Sequence, residues 1–354
     1  MTILVTGGAG FIGGWVVRRL LAEGRHRVVN LDALTYAADQ ASLAQTQTDP
    51  RYRFERIDIR DGRAVRACLA RHLPDAIMHL AAESHVDRSI DGPSDFIETN
   101  IVGSYRLLEA ALDYWKGLAP PARERFRYHH VSTDEVFGSL GPNDPRFDEN
   151  TPYRPRSPYS ASKAASDHLA LAWYHTYGLP VVLSNCSNNY GPYQFPEKLI
   201  PLVIVRALAG QSLPVYGQGL NVRDWLYVED HAAALIRILE LGRLGETYLV
   251  GGNAERRNID VVRTLCRILD RLAPRPDGQT HETGIEFVAD RPGHDLRYAI
   301  DSSKLQTQLG WRPTLSFEEG LERTVAWYLA NRDWWRPLVT DKAATDRQGL
   351  KGRT

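Results

Sequence analysis

The 354 residues carry 43 basic and 43 acidic side chains and are 43% hydrophobic. This balance leaves no net field to hold nucleic acid or an anionic membrane surface, so any anion must be bound by local groups. No apolar run reaches the roughly 18 residues of a membrane span, and a chain of this length supports a large core and one or two domains.

The N-terminus reads as a strand at once, Thr2 to Thr6, with no secretion signal before it. Gly7-Gly8-Ala9-Gly10-Phe11-Ile12-Gly13 follows, with glycines at 7, 10 and 13. A helical pattern then carries Val17, Leu20 and Leu21 on one face and ends at Gly24. Arg27 to Leu31 is a second strand with Asp32 at its end. Glycines let the backbone turn tightly beside a pyrophosphate, whose charge sits at the helix N-terminus. An acid at the next strand end accepts from both adenosine ribose hydroxyls and repels a 2′-phosphate. This order fits NAD rather than NADP.

Phe54 to Asp58 reads as a third strand, with Asp58 and Ile59 placed to meet adenine. Asp75 to Leu80 is a fourth, running into Ala81 and Ala82, whose small side chains permit close approach to a cofactor, and Ser84, which can touch a ligand. His85, Asp87 and Arg88 read as a salt-bridged structural loop. Thr99-Asn100 precede a helix from Ile101 to Trp115 as caps, with a cofactor contact by Thr99 as the functional option.

Phe126 to Val131 is a further strand, leaving Ser132 to Glu135 at its carboxyl end. Asp134 and Glu135 address one ligand only if the strand has ended and the chain is turning, because neighbours on a strand point to opposite sides. Ser157 then caps a helix with Pro158 at its first position. Tyr159 and Lys163 lie one turn apart on that helix. An ammonium near a phenol lowers the phenol pKa, which suits Tyr159 as a base toward a hydroxyl whose carbon gives up hydride. Val181 to Ser184 is the sixth strand. Beyond it, Pro214 to Tyr216 and Trp225 to Val228 read as strands and Tyr248 to Val250 as another. Helices are expected at His231 to Leu239 and Val261 to Leu269. Arg223 suits a pyrophosphate through its planar fork of donors. Ser316 and Glu319 form a capping box for a last helix ending near Leu329, Trp334-Trp335 pack on the body, and 340–354 is a polar tail. The cysteines Cys68, Cys186 and Cys266 are odd in number and lack metal-type spacing. They read as buried free thiols in a reducing cytoplasm, and no metal site is expected.

Gly7 to Gly13, Asp32, Ala81-Ala82 and the Tyr159/Lys163 pair resemble the extended short-chain dehydrogenase/reductase superfamily. Thr133-Asp134-Glu135-Val136-Phe137-Gly138 is similar to the signature of its nucleotide-sugar 4,6-dehydratases. The likeness runs from about residue 1 to 330 and takes in Asn185 to Pro192, Arg223-Asp224-Trp225 and Arg291 to Asp295. The chain departs from the pattern at Gly14-Trp15 and at Ala38-Asp39-Gln40, and neither departure removes a chemical group needed for the chemistry.

The resemblance implies an α/β fold: a Rossmann-type doubly wound parallel sheet with a smaller α/β substrate domain. The NAD-binding part is expected at 1–187 plus about 223–250, and the nucleotide-sugar part at about 188–222 plus 251–330. The implied reaction is internal redox dehydration of a nucleotide-sugar, dTDP-glucose favoured, through tightly bound NAD regenerated each turnover. Thr133, Asp134, Glu135, Tyr159 and Lys163 are implied as catalytic. The cofactor contacts are Gly7, Gly10, Phe11, Ile12, Gly13, Asp32, Asp58, Ile59, Leu80, Ala81, Ala82, Ser84, Thr99, Tyr159, Lys163 and Asn189. The substrate contacts are Ser84, Thr133, Asn188, Lys198, Leu199, Pro214, Tyr216, Arg223, Asn258, Asp290, Arg291 and His294. A homodimer through helices near 101–116 and 158–177 is also implied. The alternatives are the same reaction on UDP- or another NDP-hexose, a 4-epimerase that leaves Asp134 and Glu135 idle, and a non-catalytic NAD-bound regulator.

Overall fold

The computed structural model describes residues 1–339. The expected polar tail at 340–354 lies outside the described residues. Among these, the strands form a seven-stranded, a three-stranded and a two-stranded sheet. The strands are β1 (Thr2–Thr6), β2 (Arg27–Asp32), β3 (Tyr52–Arg56), β4 (Ala76–His79), β5 (Arg127–Thr133), β6 (Val181–Cys186), β7 (Asn188–Tyr190), β8 (Leu213–Tyr216), β9 (Val222–Tyr227), β10 (Thr247–Val250), β11 (Glu255–Arg257) and β12 (Ile285–Val288).

The large sheet runs β3-β2-β1-β4-β5-β6-β10 and is parallel throughout. Its order reverses at β1, the switch point at which doubly wound folds open a crevice at their carboxyl ends. Period-two alternation explains how it is covered on both faces. Ile3 and Val5 pack on one face with Val16, Val17 and Leu20 of helix Phe11–Ala22 and Ala232, Leu235 and Leu239 of helix Val228–Leu241. Leu4 points to the other face, among Val65 and Leu69 of helix Gly62–His72 and Leu107 and Leu108 of helix Ser104–Gly117. Truncating one of these fully buried leucines costs about 2–5 kcal/mol.

The second core joins Ile200, Val203 and Ile204 to Val215, Trp225, Ile259, Leu265, Phe317, Leu321 and Tyr328. It gathers helices Leu199–Leu208, Asn258–Leu272 and Phe317–Ala330 around the small sheets. The segment near 223–250 divides between the two halves. Strand β9 pairs with β7 and β11, whereas the helix after it and β10 complete the large sheet. Trp225 and Tyr227 explain the division, since both are buried in the second core.

Two expected elements shift. The third strand ends at Arg56, so Asp58 and Ile59 sit on the loop beyond it. The helix expected from Ile101 begins as a π-helical stretch, Ile97–Gly103, before regular turns from Ser104. Thr99 and Asn100 therefore lie inside helical structure and are not caps. Asn100 instead accepts from Glu83 N and donates to Ser162 Oγ, each at 2.9 Å, tying the loop after β4 to the Tyr159 helix. Trp334 and Trp335 pack on the body as expected, on helix Arg332–Val339.

Candidate active site

Two cavities open at the carboxyl end of the large sheet, of about 510 and about 480 Å3. Both are of the size that small-molecule ligands occupy. Every residue expected to touch the cofactor lines the first: the glycine turn, Asp32, Asp58, Ile59, Leu80, Ala81, Ala82, Ser84, Thr99, Tyr159, Lys163 and Asn189. Gly7 has φ +71°, and a Cβ there would fall 2.7 Å from Ala81 N. A Cβ on Gly13 would fall 2.1 Å from Gly7 O. The turn is thus closed to side chains. The helix behind it has no side-chain cap and no acid in its first turn, which leaves its N–H groups for a pyrophosphate. Asp32 accepts from Ala9 N at 2.9 Å and Leu34 N at 2.8 Å. A carboxylate has about four acceptor sites, so two remain for ribose hydroxyls. These features fit a dinucleotide without a 2′-phosphate. Asp58, which lines this cavity, also has its carboxylate held by Arg60 Nε and Nη2, the latter at 2.6 Å.

Of the catalytic candidates, Thr133, Glu135, Tyr159 and Lys163 line the first cavity, and Glu135 lines the second as well. Strand β5 ends at Thr133, and a 3-10 turn, Asp134–Phe137, begins at once. This is the turn that lets two adjacent acids serve one site. Glu135 lines both cavities, whereas Asp134 lies just beneath the wall, 1% exposed. Asp134 Oδ2 has no hydrogen-bond partner. Burial holds the Asp134 carboxyl well above the usual range, reinforced by the charges of Glu135 and Asp224. Burial also raises Glu135, but Arg291, Arg223 and Lys198 oppose it by favouring the carboxylate. Asp134 is therefore the acid that keeps its proton, and Glu135 is the one whose ionised form has cations to stabilise it.

Tyr159 stands in the first turn of helix Pro158–Tyr177, whose start is fixed by the Ser157–Ser160 capping box. Its phenol is pushed well above the usual range by burial, then by Glu135. This is opposite to the lowering expected from Lys163. The reason is geometric: Lys163 Nζ donates to Val131 O at 2.9 Å, and its own pKa is lowered by burial.

The second cavity is lined by Ser84, Asn188, Lys198, Leu199, Pro214, Tyr216, Arg223, Asn258, Arg291 and His294, all expected to meet substrate. Asn188 Oδ1 and Asn258 Oδ1 are buried without hydrogen-bond partners, as ligand-facing groups would be. Arg223 is 5% exposed. Its guanidinium donates to Val222 O at 2.8 Å and Asp295 O at 2.9 Å and stacks 4.2 Å from the Tyr298 ring. Asp290 lines neither cavity. It accepts from Arg291 N at 2.8 Å and His294 Nδ1 at 2.6 Å, so it braces its own loop.

The loop of His85, Asp87 and Arg88 is salt-bridged as expected, but through distant partners, and Asp167 is the residue that escaped the sequence reading. Asp87 binds Tyr216 Oη at 2.9 Å and Arg291 Nη1 at 3.0 Å, and so positions two substrate candidates. His85 and Arg88 are held instead near Glu197, at 3.6 and 3.8 Å. Asp167 accepts from His130 Nε2 and Tyr153 Oη, each at 3.0 Å, and from Asn185 Nδ2, which also donates to Thr133 O at 3.0 Å. It thereby holds the end of β5. Its spacing, four residues after Lys163, was the available signal.

The family model described as GDP-mannose 4,6 dehydratase matches residues 4–324. The chain belongs to this 4,6-dehydratase family. A dTDP-glucose 4,6-dehydratase of Escherichia coli is 57% identical to this family member over 360 residues, covering 99% of each chain. One from Xanthomonas campestris pv. campestris is 58% identical, covering 98% of this chain and 99% of its own. Among solved structures, the dTDP-glucose 4,6-dehydratase of Streptomyces venezuelae, with NAD bound, superposes with a TM-score of 0.87. It is 47% identical and covers 96% of this chain and 100% of its own. Among the described residues, no helix of this 4,6-dehydratase is long and apolar enough to cross a membrane.

Proposed function

We propose that the protein converts dTDP-glucose to dTDP-4-keto-6-deoxyglucose, using NAD held in the first cavity. The observation that carries this reading is the Asp134–Glu135 pair, with one carboxyl kept protonated and the other backed by cations, where Glu135 lines both cavities and Tyr159 lines the first. A 4-epimerase needs no such pair.

NAD, when bound, supplies the acceptor that takes hydride from sugar C4 and returns it at C6. Tyr159 takes the C4 hydroxyl proton, and Thr133 donates a hydrogen bond to the C4 oxygen. Burial works against the phenolate, so a nearby positive charge is required; the oxidised nicotinamide would supply it when bound, while Lys163, one turn along the helix, is held on Val131 O. The 4-ketone acidifies C5–H. Glu135 takes that proton while Asp134 protonates the C6 hydroxyl, which leaves as water. A proton then returns to C5 as C6 is reduced, so the sugar gains and loses two electrons and the cofactor is unchanged overall. In the second cavity, Tyr216 stacks on the pyrimidine, Arg291 and Arg223 meet the pyrophosphate, and Asn188 and Asn258 donate to or accept from the sugar nucleotide. The thymidine preference is supported by the naming of relatives matched end to end.

A homodimer in the cytoplasm completes the proposal. Helices Ser104–Gly117 and Pro158–Tyr177 carry an edge-to-face aromatic string, Tyr105–Trp173–Tyr177, with centroids 5.9 and 5.3 Å apart. Tyr177 is 46% exposed there. All three cysteines are buried free thiols, as a reducing compartment permits.

The test is incubation of the purified protein with dTDP-glucose and no added NAD. The expected product is the 4-keto-6-deoxy sugar, with UDP-glucose turned over more slowly. A dTDP-galactose product would point to epimerisation, and no turnover of any NDP-hexose would overturn the reading.

A further inference from the structure

The two departures from the family pattern, Gly14-Trp15 and Ala38-Asp39-Gln40, meet at one place. Ala33, Thr35, Ala37 and Ala38 form a loop on the wall of the first cavity. Asp39 closes that loop. Its backbone N–H donates to Ala9 O at 2.9 Å, joining it to the glycine turn. Its carboxylate accepts from Ala41 N at 2.8 Å and Ser42 N at 2.9 Å. A third donor comes from the far end of the chain: Trp334 Nε1, on helix Arg332–Val339, donates to Asp39 Oδ2.

The indole is itself fixed. Trp334 packs 5.1 Å from the Trp327 ring and 5.5 Å from Tyr193, and Tyr193 covers the Arg18 guanidinium at 3.9 Å. Arg18 reaches back to the loop, donating to Ser42 O. Trp15 closes the box, 5.0 Å from Arg18, with its Nε1 donating to Pro192 O at 3.0 Å. Aromatic pairs and cation–π stacks of this kind hold rings in fixed orientation. A helix belonging to the second half thus grips a cofactor loop of the first.

We propose that Trp334 is a positioning residue for the cofactor: by clamping Asp39 it keeps the 33–40 loop closed against the glycine turn and slows NAD release. This rests on the NAD reading above. An enzyme that restores its cofactor at each turnover gains from never releasing it, and the indole–carboxylate bond anchors the 33–40 loop to the helix Arg332–Val339, so the loop cannot lift from the glycine turn without breaking it. Hydrogen bonds to charged acceptors are the stronger class.

The experiment measures NAD exchange. Wild-type, W334F, D39N and W335F proteins are loaded with isotopically labelled NAD, passed through a desalting column, and chased with unlabelled NAD. W334F keeps a ring but loses the donor, and release is expected to be roughly tenfold faster. D39N keeps an acceptor oxygen but loses the charge, and release should be faster by a smaller factor. W335F is the control. Trp335 lies on the same helix, but its Nε1 donates to Tyr328 O at 2.7 Å, away from the loop. Its release rate should match wild type. Wild-type release from W334F, or equal acceleration in W335F, overturns the proposal. Failure of the wild-type protein to retain any NAD would instead overturn the cofactor reading itself.

Discussion

Asp134 and Glu135 are neighbours in sequence with unlike surroundings. Asp134 is buried without a cation as first partner, while Arg291 heads the groups that oppose burial at Glu135. Elimination needs Glu135 ionised and Asp134 protonated, so the rate should rise with pH as Glu135 loses its proton and fall again as Asp134 does. Replacing Arg291 by Met removes a positive charge that favours the Glu135 carboxylate. The pKa of Glu135 then rises, and the acid limb of kcat, measured at saturating substrate, should move to higher pH. An unmoved limb would show that Arg291 is not felt at Glu135. The Glu135→Gln variant should stop water loss by at least about a hundredfold, the usual scale of a general base, while still oxidising C4 and accumulating reduced cofactor. Equal loss of both steps would contradict its assignment. The Asp-Glu pair was legible because residue type and the end of a strand suffice to mark it. Asp87 was legible only as a member of a salt-bridged loop, because its partners Arg291 and Tyr216 lie 204 and 129 residues away. No local pattern carries such a pairing.

At the scale of elements, helix Pro158–Tyr177 presents both redox residues, and its position depends on its first turn. Ser157 accepts from Ser160 N at 3.0 Å, and Ser160 Oγ accepts from Ser157 N at 3.0 Å. Replacing Ser157 by Ala should cost about 1 kcal/mol and lower the unfolding midpoint, whereas Asp, which caps equally well, should restore it. Calorimetry of the two variants checks this; an Ala variant as stable as wild type would mean that tertiary packing alone sets the helix start. Ser157-Pro158 made this start readable in advance, as Ser316 and Glu319 did for helix Phe317–Ala330. The π-helical stretch at Ile97–Gly103 was not readable; Asn100 within it binds Glu83 and Ser162, contacts made only in the folded chain.

On the scale of the whole molecule, one chain crosses between its halves repeatedly. The parallel order around β1 followed from strand–turn–helix succession, as right-handed crossovers require. The exchange at β9 did not, because an alternating strand fits either sheet, and only the second core around Trp225 and Tyr227 decides which. The half-buried aromatic string on Ser104–Gly117 and Pro158–Tyr177, exposed at Tyr177, carries the dimer prediction. Sedimentation should give twice the 39.9 kDa chain mass, and Trp173→Arg, placing a charge in that face, should give the monomer; an unchanged mass would move the interface elsewhere. The central claim, that hydride leaves C4 and comes back to C6 of the same sugar, is tested most directly with dTDP-glucose carrying deuterium at C4. After turnover in ordinary water, the expected product is dTDP-4-keto-6-deoxyglucose with that deuterium in its C6 methyl group. Deuterium lost to solvent, or retained at C4 of a galactose product, would contradict it.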